Sequence, residues 1–104
     1  MVPAEILQEI KSSLQTAYGA RLKGVVLYGS EARGEATLDS DIDIMVLLDG
    51  PAKTWADIHD AAAAVYPLIL RIGRVISTRP VDIRRYRESD APLYESARRE
   101  GIRV

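Results

Sequence analysis

The sequence predicts an α/β domain in which a small mixed sheet carries helices packed against one face. Short apolar runs rich in β-branched residues, at 24–28, 41–48 and 74–78, read as strands, and longer stretches with apolar residues at helical spacing lie between and around them. A chain of 104 residues suits one domain with one modest core, so residues 1–104 are taken as a single unit. Neither the order of the strands nor the oligomeric state follows from the pattern.

Taken in order, the chain opens on a helix. Pro3 suits a first turn, Glu5 and Glu9 lie early, and Ile6, Leu7, Ile10, Leu14 and Ala17 recur at helical spacing until Gly19 stops them. The first strand, 24–28, is bounded by glycines. After the second strand, Asp49-Gly50-Pro51 is a turn. Thr54 caps a helix expected over 55–72, whose broad apolar face holds Ile58, Ala61, Ala62, Val65, Leu68, Ile69 and Ile72. Pro67 removes one hydrogen bond there and is expected to kink it. Trp55 reads as a packing residue at the helix start, and His59, off the apolar face, as a solvated histidine. Gly73 ends the helix, and the strand at 74–78 is expected beside the second one, with Pro80 ending it or placing it at an edge. Asp82 caps a short helix through Tyr86, and Pro92 opens a last helix that closes at Gly101. An apolar face left open on that helix would suit a homo-oligomer, although so small a core has its own use for it.

The chemistry concentrates between the first two strands. The first strand leaves through Gly29-Ser30 into Glu31-Ala32-Arg33-Gly34, a turn followed by good helix formers. Main-chain N–H groups at such a start have no partner within the helix, so they suit a triphosphate, and glycine lets a ligand approach the backbone closely. The second strand begins Ser40-Asp41-Ile42-Asp43. Its period of two puts Asp41, Asp43, Met45 and Leu47 on one side and Ile42, Ile44, Val46 and Leu48 on the other. Two carboxylates with Cα atoms roughly 6.5–7 Å apart can converge on one Mg²⁺ or on a pair of ions. Oxygen ligands favour Mg²⁺ or Mn²⁺ over zinc. Unpaired carboxylates in so hydrophobic a strand cost several kcal/mol unless they face an edge, a cleft or a cation. Glu31, Glu35 and Asp39 read as exposed loop acids.

Gly29-Ser30, Arg33-Gly34 and Ser40-Asp41-Ile42-Asp43 together resemble the signature of the nucleotidyltransferase superfamily that includes DNA polymerase beta, and look most like its minimal members, the MNT proteins. The likeness extends loosely over nearly the whole chain. It implies a nucleotidyltransferase-type mixed sheet and Mg²⁺-dependent transfer of a nucleoside monophosphate from an NTP, ATP by preference, to a hydroxyl acceptor. Carried over residue by residue, it makes Asp41 and Asp43 catalytic and metal-holding. It gives Gly29, Ser30, Arg33 and Ser40 to the nucleotide, with Arg33 either touching phosphate or anchoring the loop. One departure stands out. Members with full polymerase-type chemistry carry a third carboxylate on a later strand, and residues 74–79 contain no acid; Asp82 is the nearest candidate. The resemblance also suggests a HEPN-domain toxin as partner, the chain serving as antitoxin. The alternative is a catalytically weak or inactive module that binds nucleotide and partner.

Composition excludes several other classes. Apolar content of 47% and charged content of 28% are ordinary for a globular protein. With no cysteine and one histidine, disulfides, thiolate zinc sites and histidine clusters are ruled out. The first residues lack the features of a signal peptide and no apolar run approaches the ~20 residues of a membrane span, so a cytoplasmic location is expected. The net charge of −1 hides an asymmetry: residues 1–70 hold five Lys/Arg against ten Asp/Glu, and residues 71–104 nine Arg against five acids. That basic half suits an acidic or phosphate-bearing partner, or else a pair of helices whose arginines face water and nearby acids. It does not by itself indicate nucleic-acid binding.

Overall fold

The computed structural model describes residues 2–52 and 54–104. Its elements are α1 (Ala4–Tyr18), a 3-10 turn (Gly19–Arg21), β1 (Leu22–Tyr28), α2 (Gly29–Ala32), β2 (Ile42–Leu48), α3 (Trp55–Ile72), β3 (Ile76–Asp82), α4 (Ile83–Glu88), α5 (Pro92–Glu100) and β4 (Ile102–Arg103). The four strands form one mixed sheet in the order β3-β2-β1-β4. β1 runs antiparallel to β2 and to β4, whereas β3, reached through the long crossover helix α3, runs parallel to β2.

The alternation expected along β2 sorts the interior. Ile42, Ile44, Val46 and Leu48 meet Ile10 and Leu14 of α1 and Ala61, Val65 and Leu68 of α3. Met45 and Leu47 turn the other way, where Val26, Val81, Ile83, Tyr94 and Ala97 make a second, smaller core. Helices therefore lie on both faces: α1 and α3 form the layer the sequence predicts, and α4 and α5 add a thinner one opposite. The physical reason is β2 itself. Being apolar on both sides, it needs cover on both, and α5 supplies Tyr94 and Ala97 to that cover.

α3 keeps its expected bounds because its ends are well marked: Thr54 Oγ1 accepts the Asp57 N–H at 3.1 Å, and Gly73 closes the helix in the left-handed conformation at φ 72°. Pro67 sits inside a helix that continues to Ile72. The buried row of α3 runs Asp57, Ala61, Val65, Leu68. Ile58 lies off that row and is half exposed, and Trp55, expected to pack, is 79% exposed. His59 is exposed, as expected. β3 is longer than its apolar run suggests and passes through Pro80, which an edge strand tolerates because one N–H direction needs no partner. Many arginines of the basic half are engaged locally: Arg71 pairs with Glu9, Arg84 with Asp82 and Arg99 with Glu95, while Arg98 donates to the carbonyls of Tyr86 and Ser89. Among the described residues, no helix is long and apolar enough to cross a membrane.

Candidate functional site

β1 ends at Tyr28, opposite Asp43 of β2 in the antiparallel register. The chain then turns at Gly29, whose φ of +73° L side chains rarely adopt. α2 is a single turn. The Ser30 carbonyl accepts the Glu35 N–H at 2.9 Å, and the Gly29 carbonyl the Arg33 N–H at 3.2 Å, folding residues 29–35 into a tight bend. A Cβ on Gly29 would overlap Oδ2 of Asp43. The glycine thus brings the aspartate carboxylate against the backbone of the bend, so the two halves of the motif meet in space.

Asp43 is partly buried, and that burial pushes its carboxyl above the ordinary aspartate value; the negative charge of Asp41 pushes the same way, while Arg79 and Arg33 oppose both. Asp41, exposed and one residue ahead of the strand, is therefore close enough to be felt electrostatically. A carboxylate that is partly desolvated and repelled by a neighbouring acid is one that a divalent cation would relieve. Two carboxylates also match the donor set by which Mg²⁺ is held when substrate phosphates complete its oxygen shell. Among the described residues, no group of three or more His, Cys, Asp or Glu side chains is placed to hold a metal.

Ser40 shapes the entry to Asp41. Its hydroxyl accepts the Thr37 N–H at 3.0 Å, and its carbonyl oxygen accepts from Arg74, at 2.9 Å from Nη2 and 3.3 Å from Nε. Arg33 stands at the rim, its Nε donating to Glu35 at 2.6 Å and its Nη1 lying 3.9 Å from Glu100. A cleft of about 320 Å³ opens beside it, lined by Tyr28, Gly29, Arg33, Leu93, Ala97 and Glu100.

The parallel register places Ser77 opposite Asp43 and Arg79 opposite Met45. The positions on β3 nearest the aspartate pair thus carry a hydroxyl and a cation. Asp82 lies opposite Leu48, roughly 16 Å further along β3 than Ser77 at about 3.3 Å per residue. There it caps α4, accepting the Arg84 N–H at 3.0 Å, and pairs with the Arg84 guanidinium at 2.8 Å, so it does not supply a third acid to the site.

Glu31 overturns its expectation as an exposed loop acid: it is only 1% exposed. Its Oε2 accepts the Val2 N–H at 2.9 Å and its Oε1 lies 2.7 Å from Nη1 of Arg74. Burial acts to raise its carboxyl, but the Val2 N–H and the Arg74 guanidinium outweigh burial and hold it below the usual value. Glu35 and Asp39 are exposed as expected. Sequence reasoning also missed Arg79, whose Nε lies 3.4 Å from the Tyr28 hydroxyl and whose charge reaches Asp43. The only signal for it was register, which the sequence does not print.

A mixed sheet with a glycine-serine bend at the end of one strand and an aspartate pair on the next defines a nucleotidyltransferase-type domain. The family model described as nucleotidyltransferase domain matches residues 7–98, and the chain belongs to that family. Two proteins of Methanocaldococcus jannaschii, each named "Putative protein adenylyltransferase", are similar to part of it. One is 51% identical over 45 residues, 43% of this chain and 43% of its own length; the other is 42% identical over 43 residues, 41% and 43%. The chain spans less than half the length of these relatives. The solved structure of a "putative minimal nucleotidyltransferase" superposes with a TM-score of 0.57 at 27% identity, covering 93% of this chain and 87% of that one. A toxin-antitoxin structure with AMP-PNP gives 0.62 at 22% identity, covering 92% and 69%; at that identity the likeness is one of fold.

Proposed function

We propose that the chain binds a nucleoside triphosphate, ATP by preference, at the junction of the Gly29-Ser30 bend and the Asp41/Asp43 pair, and transfers its nucleoside monophosphate to a hydroxyl on a partner protein. The observation that carries this reading is the contact between the Asp43 carboxylate and the backbone at Gly29. It brings the Asp43 carboxylate to the Gly29-Ser30 bend, so that a cation held by the aspartates would meet phosphates held at the bend. Asp41 and Asp43 would hold Mg²⁺, which when bound supplies positive charge to the phosphates and lowers the pKa of an attacking hydroxyl. The main chain at Gly29 and Ser30 holds the phosphate oxygens, and Arg33 at the rim adds a cationic fork for phosphate. Ser40 holds the turn that presents Asp41. The acceptor oxygen bonds to the α phosphorus in line as the bond to the β phosphate breaks; pyrophosphate leaves, and the acceptor proton passes to solvent. The names of the Methanocaldococcus relatives support adenylyl as the group moved and protein as the acceptor. By this reading the partner is a HEPN-domain toxin and the chain its antitoxin in the cytoplasm; toxin-antitoxin complexes among the proteins of similar fold support a toxin as the partner.

A second reading has its own observation. With Ser77 and Arg79 where a third acid would stand, the acceptor hydroxyl gains no general base from β3, and removing such a group typically costs about 10²–10⁴ in rate. A module that binds nucleotide and partner with little transfer fits that placement. Calorimetric titration with ATP and Mg²⁺, followed by incubation with labelled ATP and a HEPN partner, separates the readings. The wild type binds ATP and Asp41→Ala/Asp43→Ala does not; label on the partner supports the transferase, and inhibition of the partner without label supports the module. A wild-type chain that fails to bind ATP overturns both.

A further inference from the structure

We propose that Arg74 is a positioning residue: its single guanidinium joins the Gly29-Ser30 bend to the aspartate strand and holds both in the arrangement nucleotide binding requires. The inference rests on the nucleotide reading of the site, and it concerns a residue outside the motif.

Arg74 follows the glycine that closes α3 and precedes β3. Its Nη1 stands 2.7 Å from Oε1 of Glu31, which belongs to α2, and its Nη2 and Nε donate to the carbonyl of Ser40, at 2.9 and 3.3 Å. Glu31 directly follows Ser30, and Ser40 directly precedes Asp41. The next residue continues the link, since the Val75 carbonyl accepts the Ile42 N–H at 2.9 Å. The segment between Arg33 and Ser40 is mostly exposed and contains no helix or strand. On the β1 side the bend is already tied to β2 by the pairing of Tyr28 with Asp43. On the other side, Arg74 supplies a second tie between the bend and the strand.

The chemistry of the pair favours a geometric role over simple adhesion. The Glu31 side chain is 1% exposed and that of Arg74 15%. A buried ion pair is a poor way to gain stability, because apolar side chains of similar volume do as well without desolvating two charges. What it adds is direction. A planar guanidinium presents several donors in a fixed fork, so one side chain can address a carboxylate and a carbonyl at once and set the distance between them. A lysine ammonium offers charge without that fork. The carboxylate in turn reaches the N-terminal segment through the Val2 N–H, so the support extends from α2 to the start of the chain's described part.

The test uses Arg74→Lys, Arg74→Gln and Glu31→Gln, with thermal melting, Mg²⁺-ATP affinity well below the melting range, and amide hydrogen exchange of the free protein. Folded Arg74→Lys and Arg74→Gln are expected to bind Mg²⁺-ATP at least tenfold more weakly than wild type. Adding Glu31→Gln to Arg74→Gln weakens binding no further, because the two act as one unit. Exchange rises at 29–35 and 41–43 and stays unchanged in α3. A pair that only stabilises the fold would lower the melting temperature and leave the affinity of the folded protein alone, which overturns the proposal. Should Arg74→Gln fail to fold, the charge-conserving lysine and the near-isosteric Glu31→Gln carry the same measurements. A wild type that binds no ATP overturns the nucleotide reading instead; exchange at 29–35 and 41–43 then decides the clamp, with unchanged rates in Glu31→Gln and Arg74→Lys refuting it.

Discussion

Gly29 is held by two independent constraints, a left-handed backbone and an aspartate oxygen where a Cβ would lie. Gly29→Ala therefore strains φ, at about 1–3 kcal/mol, and displaces the Asp43 carboxylate. The expected result is a lower melting temperature together with lost Mg²⁺-ATP binding, read by calorimetry on protein that is still folded. Gly34 shares the positive φ but has open space at its Cβ position, so Gly34→Ala should show the backbone strain and keep more of the binding. Away from the site, Asp57 makes a pH-dependent contribution. Arg21 donates to both its carboxylate oxygens, at 2.9 and 3.2 Å, and with Thr54 holds its carboxyl below the usual 3.8, against the burial that would raise it. A depressed folded value means that this stability is fully present above the unfolded value and lost as pH falls through the folded one. Because the Arg21 side chain is 42% exposed, the lower part of the range for charged hydrogen bonds applies, about 1–2 kcal/mol. Asp57→Asn should melt lower than wild type by a constant margin from neutral pH down to about pH 5, and the margin should close below that as the wild type protonates. A margin independent of pH down to acid denaturation would remove Arg21 from the explanation.

α3 shows what sequence alone reveals about an element. Its bounds were legible because both ends are chemical: a threonine hydroxyl that accepts an N–H, and a glycine that takes a left-handed φ. The site strand was legible as an apolar run of strand length, whose period of two sets Asp43, Met45 and Leu47 on one side and Ile42, Ile44, Val46 and Leu48 on the other. β3, read at 74–78, runs 76–82; of the two meanings offered for Pro80, a stop or an edge, the structure has the edge, and tertiary pairing rather than local pattern lets the strand continue through it. β4, two residues long, carries no periodicity to read. Trp55 was misplaced because helical spacing defines a broad apolar stripe, and packing selected the row through Asp57 rather than the one through Ile58. Glu31 could not be recognised as buried, since its cationic partner is remote in sequence and local propensity says nothing of it. Pro67 is the remaining misfit: an exposed proline within α3 that lacks the donor an interior helical residue supplies. Interior prolines cost helices ~3 kcal/mol. Pro67→Ala should therefore raise the melting temperature, by at least the ~4 °C that 1 kcal/mol represents in a domain of this size. An unchanged or lower melting point would mean that α3 accommodates Pro67 without that cost.

At the scale of the molecule the two sides of the sheet are unequal, and the candidate site lies at the border of the weaker one. The face covered by α1 and α3 holds most of the large fully buried side chains, including Ile10, Leu14, Ile42, Ile44 and Leu48. The face covered by α4 and α5 depends on a few residues, among them Tyr94, 8% exposed and with the Arg85 guanidinium 5.4 Å from its ring centroid. α5 also lines the cleft that Gly29 and Arg33 share with the site, so the layer least supported by burial forms one wall of that cleft. Regions with little buried apolar surface open below the global unfolding free energy, and surfaces that must admit ligands are drawn from them. Native-state hydrogen exchange should accordingly resolve two units: slow amides in β2, central in the sheet and buried on both faces, and faster ones in α4 and α5. Tyr94→Ala removes a buried aromatic, worth about 3–5 kcal/mol where the cavity cannot collapse. If the thin layer opens separately, the substitution should speed exchange in α4 and α5 by about a hundredfold or more and that of β2 far less. It should also weaken Mg²⁺-ATP binding while Asp41, Asp43 and the bend keep their places. Equal acceleration in β2 and α5 would mean instead that both layers unfold as one cooperative unit, and that the wall of the cleft is as rigid as its floor.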